Sequence, residues 1–109
     1  MITDKKRFDE IIDAQLKDCK DLLDKKFEEY QAGEDMLSNF NNIAKMLRTS
    51  PEMAWLGMWI KHVESIITMI KGGEELCPSD RWDEKITDCI NYLLLLQCLL
   101  GQDNVYTGE

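Results

Sequence analysis

The apolar side chains of the first 31 residues recur with the spacing of a helix. They follow one another at steps of three and four: Phe8, Ile12, Leu16, Cys19, Leu23, Phe27 and Tyr30. Such steps place side chains on one face of an α-helix, and lysines and carboxylates fill the other faces. The pattern therefore predicts a long amphipathic helix over residues 5 to about 31, which Gly33 would end.

The rest of the chain carries signals for three more helices. Ser50 can cap a helix and Pro51 is well tolerated at a first helical position, so a helix should start there. Gly72 and Gly73 are suited to ending it. The predicted spans are 36–48, 51–71 and 80–100. With only two prolines and six glycines in 109 residues, we expect one all-α domain over residues 1–109, a bundle of about four helices.

The fourth predicted helix carries a polar stripe that does not continue to its end. Glu84, Asp88 and Asn91 share one side at spacings of four and three. Leu95 falls on the same line, and the second half of the helix is apolar nearly all round. A helical segment that is apolar on all faces is expected to be buried on more than one side. We therefore expect the stripe to face another element or a cleft.

The third predicted helix has a similar division. We expect its core side to hold Val63, Ile66, Ile67 and Ile70. The polar residues Lys61, Glu64, Ser65 and Thr68 lie opposite. The three tryptophans, Trp55, Trp59 and Trp82, are expected to anchor the core or an interface.

Two carboxylates one helical turn apart are a common way to hold Mg²⁺, which prefers oxygen ligands and is often completed by substrate phosphates. A metal there could polarise a phosphoryl oxygen or activate a water. The ordinary alternative is that Glu84 and Asp88 complement the helix dipole. For Lys61 and Glu64, the ordinary alternative is an ion pair that is exposed to solvent or formed between helices.

Charge and composition limit the partners. The net charge of −8 disfavours nucleic-acid polymers and anionic membrane surfaces, although a bridging cation would still allow a small polyanion. The charged N-terminus and the short apolar run over 92–96 predict neither a signal peptide nor a membrane span. The four cysteines lack zinc-site spacing, and Cys89 and Cys98 are expected to be small core residues. We expect a soluble, cytoplasmic protein.

Several segments resemble small phage-encoded proteins that are similar to the all-α nucleoside triphosphate pyrophosphohydrolases, the MazG and dimeric dUTPase group. The resemblance runs over about residues 20 to 100. The segments that carry it are Lys26…Tyr30, Asn39-Phe40…Ala44, Met58-Trp59-Ile60-Lys61-His62 and Trp82-Asp83-Glu84-Lys85-Ile86-Thr87-Asp88…Asn91-Tyr92-Leu93.

The resemblance implies a fold, a cofactor and a chemistry. Enzymes of that group hold Mg²⁺ with an E-x-x-E pair on one helix and an E-x-x-D pair on the next, and release pyrophosphate. The second pair corresponds to Glu84 and Asp88, here four residues apart. The first corresponds to Lys61 and Glu64, where a lysine replaces one carboxylate. The resemblance thus implies Glu64, Glu84 and Asp88 as catalytic, metal-binding residues.

The same resemblance implies substrate-binding residues and an assembly. The substrate-binding set is Lys61, His62, Asn91, Lys26 and Tyr30; the ordinary alternative for His62 is a histidine on the helix surface or in the packing. The partners would be a nucleotide or another small phosphorylated ligand and further copies of the chain, in a dimer or tetramer inside a bacterial or phage-infected cell.

Three functions follow as hypotheses. The first is a Mg²⁺-dependent nucleotide pyrophosphohydrolase. The second is a protein that binds and sequesters a nucleotide without turnover, because the lysine at position 61 weakens the first pair by charge repulsion. The third is a structural helical oligomer that binds a protein partner, with the polar stripes forming ion pairs between subunits.

Overall fold

The computed structural model describes residues 4–29, 37–73 and 79–102. Within these ranges the chain forms four α-helices and no strand, which confirms the all-α prediction. The helices are α1 (Lys5–Glu29), α2 (Ser38–Leu47), α3 (Pro51–Gly72) and α4 (Ser79–Gln102). Helix α4 continues through the glycine at 101. The predicted terminator Gly33 lies outside the described residues.

The start of α3 follows from its local sequence. The Ser50 hydroxyl accepts a hydrogen bond of 3.1 Å from the main-chain N–H of Met53, and Pro51 occupies the first turn, as predicted. Arg48 ends α2 in the left-handed conformation, with φ of 56°. Gly73 ends α3 with φ of 83°, a backbone conformation that glycine adopts without steric cost.

Helix α4 lies between α1 and α3, and α2 packs on α3. The core between α2, α3 and α4 is built on Leu37, Phe40, Trp55 and Leu99. Partly buried side chains close around them: Met58, Trp59, Tyr92, Leu95 and Leu96. The Phe40 ring meets the Tyr92 ring edge-on, with 6.0 Å between centroids. The prediction that tryptophans anchor the core is confirmed at Trp55.

Helix α1 runs parallel to α4. The Gln15 amide donates a 2.8 Å hydrogen bond to the Thr87 hydroxyl. Two to three turns further along α1, Leu23 and Phe27 line the same groove as Leu94, at a later point of α4. The contacts therefore advance in the same direction along both helices.

Part of the predicted core is exposed. Ile67 and Ile70 of α3 face solvent, and the buried face of α3 instead carries Ala54, Trp55 and Met69. The predicted core side was therefore wrong for these two isoleucines. Helix α3 has two apolar faces, and periodicity alone does not say which one its neighbours cover.

Helices α1 and α4 also expose residues that were predicted to lie in the core. Most of the predicted inner face of α1 is exposed, at Phe8, Ile12, Leu16 and Phe27, whereas Cys19 is buried. In this single chain α1 packs chiefly on α4, so only a narrow stripe is covered. On α4, Cys98 is exposed, so the prediction that it is a core residue is wrong, whereas Cys89 is half-buried.

None of the helices that the structure describes is long and apolar enough to cross a lipid bilayer.

Candidate functional site

The polar stripe of α4 passes from solvent into the protein. Glu84 is exposed, Asp88 is half-buried, and Asn91 is only 5% exposed. Thr87, one turn before Asn91, is also buried and receives the hydrogen bond from α1. The prediction that this stripe faces another element is thus confirmed at its C-terminal end.

The Asn91 side chain is buried without hydrogen bonds. Neither its Oδ1 nor its Nδ2 has a partner within the described chain. A buried polar group left unpaired costs about 1–3 kcal/mol, and such groups are rare in native proteins. An amide offers one acceptor and two donors side by side. Both polar atoms of Asn91 are enclosed by the described chain, so a ligand can pair with them only after the side chain turns out of the interior.

An open groove lies between α1 and α4 just beyond Asn91. Its volume is about 180 Å³. The lining residues are Lys20, Leu23, Asp24, Phe27, Leu94, Leu95 and Cys98. The Lys20 ammonium and the Asp24 carboxylate form an ion pair of 2.9 Å, and most of the remaining lining is apolar. The volume is below the ~300–1,000 Å³ of drug-sized ligand sites, so the groove suits one flat group and not a whole nucleotide.

The stripe and the groove lie on one face of α4. At 100° per residue, Asp88, Asn91, Leu95 and Cys98 fall within one sector of the helix. At 1.5 Å per residue, the helix advances about 15 Å from Asp88 to Cys98. An elongated ligand on this face would meet carboxylates first, then an amide, then an apolar groove.

The predicted metal ligands are only partly brought together. No group of three or more Asp, Glu, His or Cys side chains that could hold a metal occurs in the described parts of the chain. Glu64, exposed on α3, therefore does not complete a three-ligand set with Glu84 and Asp88. The pair on α4 fits a Mg²⁺ ion that takes its remaining ligands from phosphate and water. Mg²⁺ at this pair stays a prediction.

The other predicted site residues do not line the groove, and one of them lies outside the described residues. Lys61 is exposed on α3. The His62 ring packs against the Tyr92 ring at 4.5 Å between centroids, on the α3 side of α4. Lys26 is exposed on α1 next to Phe27, and Tyr30 is not among the described residues. Substrate binding by these residues stays a prediction.

Four residues between α1 and α4 were not predicted from the sequence. Gln15 of α1 and Thr87 of α4 set the register between the two helices, and Lys20 of α1 and Leu94 of α4 line the groove. Leu94 carries the same signal as an ordinary core position. Only the parallel pairing of α1 and α4 brings these residues together.

The Cys89 thiol follows Asp88 in the sequence and lies about 160° around α4 from Asn91. Burial raises the pKa of the Cys89 thiol above its usual value, and the neighbouring Asp88 carboxylate raises it further, while Lys85 opposes the shift. The thiol is therefore protonated at neutral pH.

Comparisons with protein-family models, curated proteins and solved structures give no match for this chain. The resemblance to the pyrophosphohydrolase group accordingly stays a prediction that rests on the sequence segments named above.

Proposed function

We propose that this chain binds a nucleotide along the α1-facing side of α4, as its main biochemical activity. The observation that supports the proposal is the Asn91 amide, which is buried with both polar atoms unpaired on the same helix face as Asp88. An uncompensated buried amide destabilises the fold, so a role outside folding accounts for its presence.

Each part of the ligand has a counterpart on this face. Phosphates would lie at Glu84 and Asp88, and because both groups are acidic, they require a cation between them, which a Mg²⁺–nucleotide complex brings with it. The base would enter the apolar groove, where the exposed Phe27 ring offers a stacking surface. Asn91, between these two regions along α4, would hydrogen-bond the base or the sugar once its side chain turns out of the interior.

The chain's donor set favours binding over turnover. The pyrophosphohydrolase chemistry suggested by the resemblance uses four carboxylates, and here position 61 is a lysine. Glu64 is not grouped with the α4 pair in this chain. Hydrolysis therefore requires further ligands, which a neighbouring subunit could supply, whereas binding requires only the α4 face.

Thermal shift with a panel of nucleotides tests the proposal. Nucleoside tri- and diphosphates and cyclic nucleotides are added with and without Mg²⁺ to wild type, Asp88→Asn, Asn91→Leu and the control Asp13→Asn. Asp13 is an exposed carboxylate of α1, about 160° around that helix from Gln15, which contacts α4. A ligand at 100 times its Kd stabilises the fold by about 2.7 kcal/mol. We expect a Mg²⁺-dependent rise in Tm for wild type and Asp13→Asn and none for Asp88→Asn.

Asn91→Leu separates the function from the fold. Leucine is similar in size and has no polar atoms, so we expect the free protein to gain about 1–3 kcal/mol of stability while its response to nucleotide is lost. A general defect in folding would lower both quantities. A full nucleotide response in Asn91→Leu, or no response of wild type to any nucleotide, would contradict the proposal.

Pyrophosphate release distinguishes the two nucleotide hypotheses. Binding without product after many hours supports sequestration, and repeated turnover supports a pyrophosphohydrolase. Neither outcome shows where the nucleotide binds; the Asp88→Asn and Asn91→Leu variants test its position.

A further inference from the structure

Helix α3 exposes an apolar stripe with a heptad repeat. Its members alternate at steps of three and four over three consecutive heptads: Met53, Leu56, Ile60, Val63, Ile67 and Ile70. Val63 is half-buried, and the other five are between 36% and 64% exposed. We name these six residues the α3 seam. An alternating step of three and four is the pattern of a helix that packs lengthwise on another helix.

The described chain does not supply that second helix. Helices α2 and α4 pack on the other apolar face of α3, which carries Ala54, Trp55 and Met69. At 100° per residue, the seam points roughly 155° away from this buried face. The seam contains no charged side chain, whereas an ordinary exposed helix face is polar.

We propose that the α3 seam packs against the α3 seam of a second copy of this chain, with the two helices antiparallel. A C2 dimer brings the same patch of both subunits together, which this apolar stripe allows because its residues are all of similar size and polarity. The seam is about 25 Å long at 1.5 Å per residue, enough for several interdigitating layers.

The charges at the two ends of the seam set the direction. Glu52 precedes the seam and Lys71 follows it. Antiparallel packing brings the Glu52 end of one helix to the Lys71 end of its partner and also pairs helix dipole ends of opposite sign. Parallel packing would place Glu52 beside Glu52 and Lys71 beside Lys71. The antiparallel arrangement is therefore favoured electrostatically.

This dimer is independent of the proposed nucleotide site. The seam lies on the outer face of α3, whereas Asn91 belongs to α4 and the groove lies between α1 and α4. Loss of nucleotide binding with an intact dimer would affect only the proposed function. Loss of the dimer with intact nucleotide binding would affect only this inference.

Sedimentation equilibrium over a wide range of concentration tests the dimer. We expect wild type to have the mass of two chains at high concentration. Ile60→Glu places a carboxylate at the centre of the seam and should raise the dimer Kd at least about a hundredfold, because the charge is buried unpaired. Thr68→Glu adds the same charge at an exposed position of α3 outside the seam and should leave the Kd within about threefold.

Circular dichroism first checks that Ile60→Glu keeps the wild-type helix content, as expected since Ile60 is half exposed in the single chain. A monomer at all concentrations would overturn the inference. So would a dimer that Ile60→Glu leaves intact, or one that is broken instead by Ile12→Glu on the exposed face of α1.

Charge exchange tests the direction. In an antiparallel pair, Glu52→Lys or Lys71→Glu alone should each weaken the dimer a few-fold at low salt, and the two substitutions together should restore it. In a parallel pair, each single substitution only exchanges one like-charged contact for another, so neither would weaken the dimer. That result would overturn the antiparallel arrangement.

Discussion

The indole N–H of Trp55 donates a 2.6 Å hydrogen bond to the main-chain carbonyl of Tyr92 and so ties α3 to the middle of α4. The neighbouring Trp59 stacks on Trp55, with 5.3 Å between ring centroids and 13° between the planes. The Trp59 indole nitrogen is buried as well, but it has no hydrogen-bond partner in the described chain. Of the two stacked tryptophans, Trp55 has a partner for its indole N–H within the described chain and Trp59 has none.

Phenylalanine substitution at each tryptophan should separate these roles. Trp55→Phe removes the donor and part of the buried ring, and we expect a loss of about 2–4 kcal/mol in the free energy of unfolding. Trp59→Phe also removes ring volume, but it eliminates an unpaired buried donor, so the loss should be smaller. Urea unfolding followed by circular dichroism measures both. A larger loss for Trp59→Phe would contradict this assignment.

The hydrogen bond between Gln15 and Thr87 should couple α1 to α4. Thr87→Val leaves the Gln15 amide without its partner on α4 and only with its 3.5 Å hydrogen bond to Cys19 Sγ, and Gln15→Leu removes the other side of the bond. We expect the two changes to be non-additive, with a coupling energy of about 0.5–1.5 kcal/mol.

A double-mutant cycle in urea measures this coupling, and hydrogen exchange of the α1 amides shows where stability is lost. The control combines Gln15→Leu with Thr49→Val, an exposed position beside α3, where the effects should add within about 0.3–0.5 kcal/mol. Additive effects of Gln15→Leu and Thr87→Val would show that the bond does not hold α1.

The raised pKa of the Cys89 thiol predicts a pH profile for its alkylation. Reaction with iodoacetamide requires the thiolate, so Cys89 should react only at higher pH than an ordinary thiol. Asp88→Asn removes the neighbouring carboxylate that raises the pKa, so the profile should move to lower pH. Peptide mass spectrometry reads Cys89 separately from the other cysteines. Asp83→Asn is the control, and an unchanged or upward shift in Asp88→Asn would contradict the proximity of these charges.

The same shift has a consequence for stability. Because the folded pKa lies above the unfolded one, the contribution of Cys89 to stability is fully present below the unfolded pKa. It is lost as the pH rises through the folded pKa. Asp88→Asn should lower the folded pKa of Cys89, so less stability should be lost at alkaline pH.

The cap at Ser50 should contribute measurably to the stability of α3. Ser50→Ala removes the hydroxyl that accepts from the Met53 N–H, and we expect a loss of about 0.5–2 kcal/mol. Thr49→Ala changes the preceding exposed residue, which lies outside the cap, and should have little effect. Thermal unfolding of the two variants compares them directly, and equal losses would exclude the cap as the cause.

Local signals determined most of the secondary structure. The residues Ser50 and Pro51 fix the start of α3, and the paired glycines at 72 and 73 fix its end, because capping and backbone conformation depend on a few adjacent residues. The predicted end of α4 near residue 100 is short of the observed end at Gln102, since one glycine does not prevent a helix from continuing through position 101. The polar stripe of α4 was also visible, because residues three and four apart share a helix face whatever surrounds them.

The tertiary structure decided which faces are covered. Ile67, Ile70 and Met69 are all apolar residues of α3, and the sequence pattern does not distinguish them. Only Met69 is buried, because α2 and α4 pack on the face of α3 that carries it. Likewise, no local signal separates Asn91 from the exposed Glu84 on the same stripe. Asn91 is buried by the packing of the helices, and α1 reaches the same part of α4 through the Gln15–Thr87 hydrogen bond, a contact between residues more than 70 positions apart. Sequence by itself therefore determined the helices and the candidate chemistry, and only the packing of the helices decided which side chains enclose the groove and which remain open to a partner.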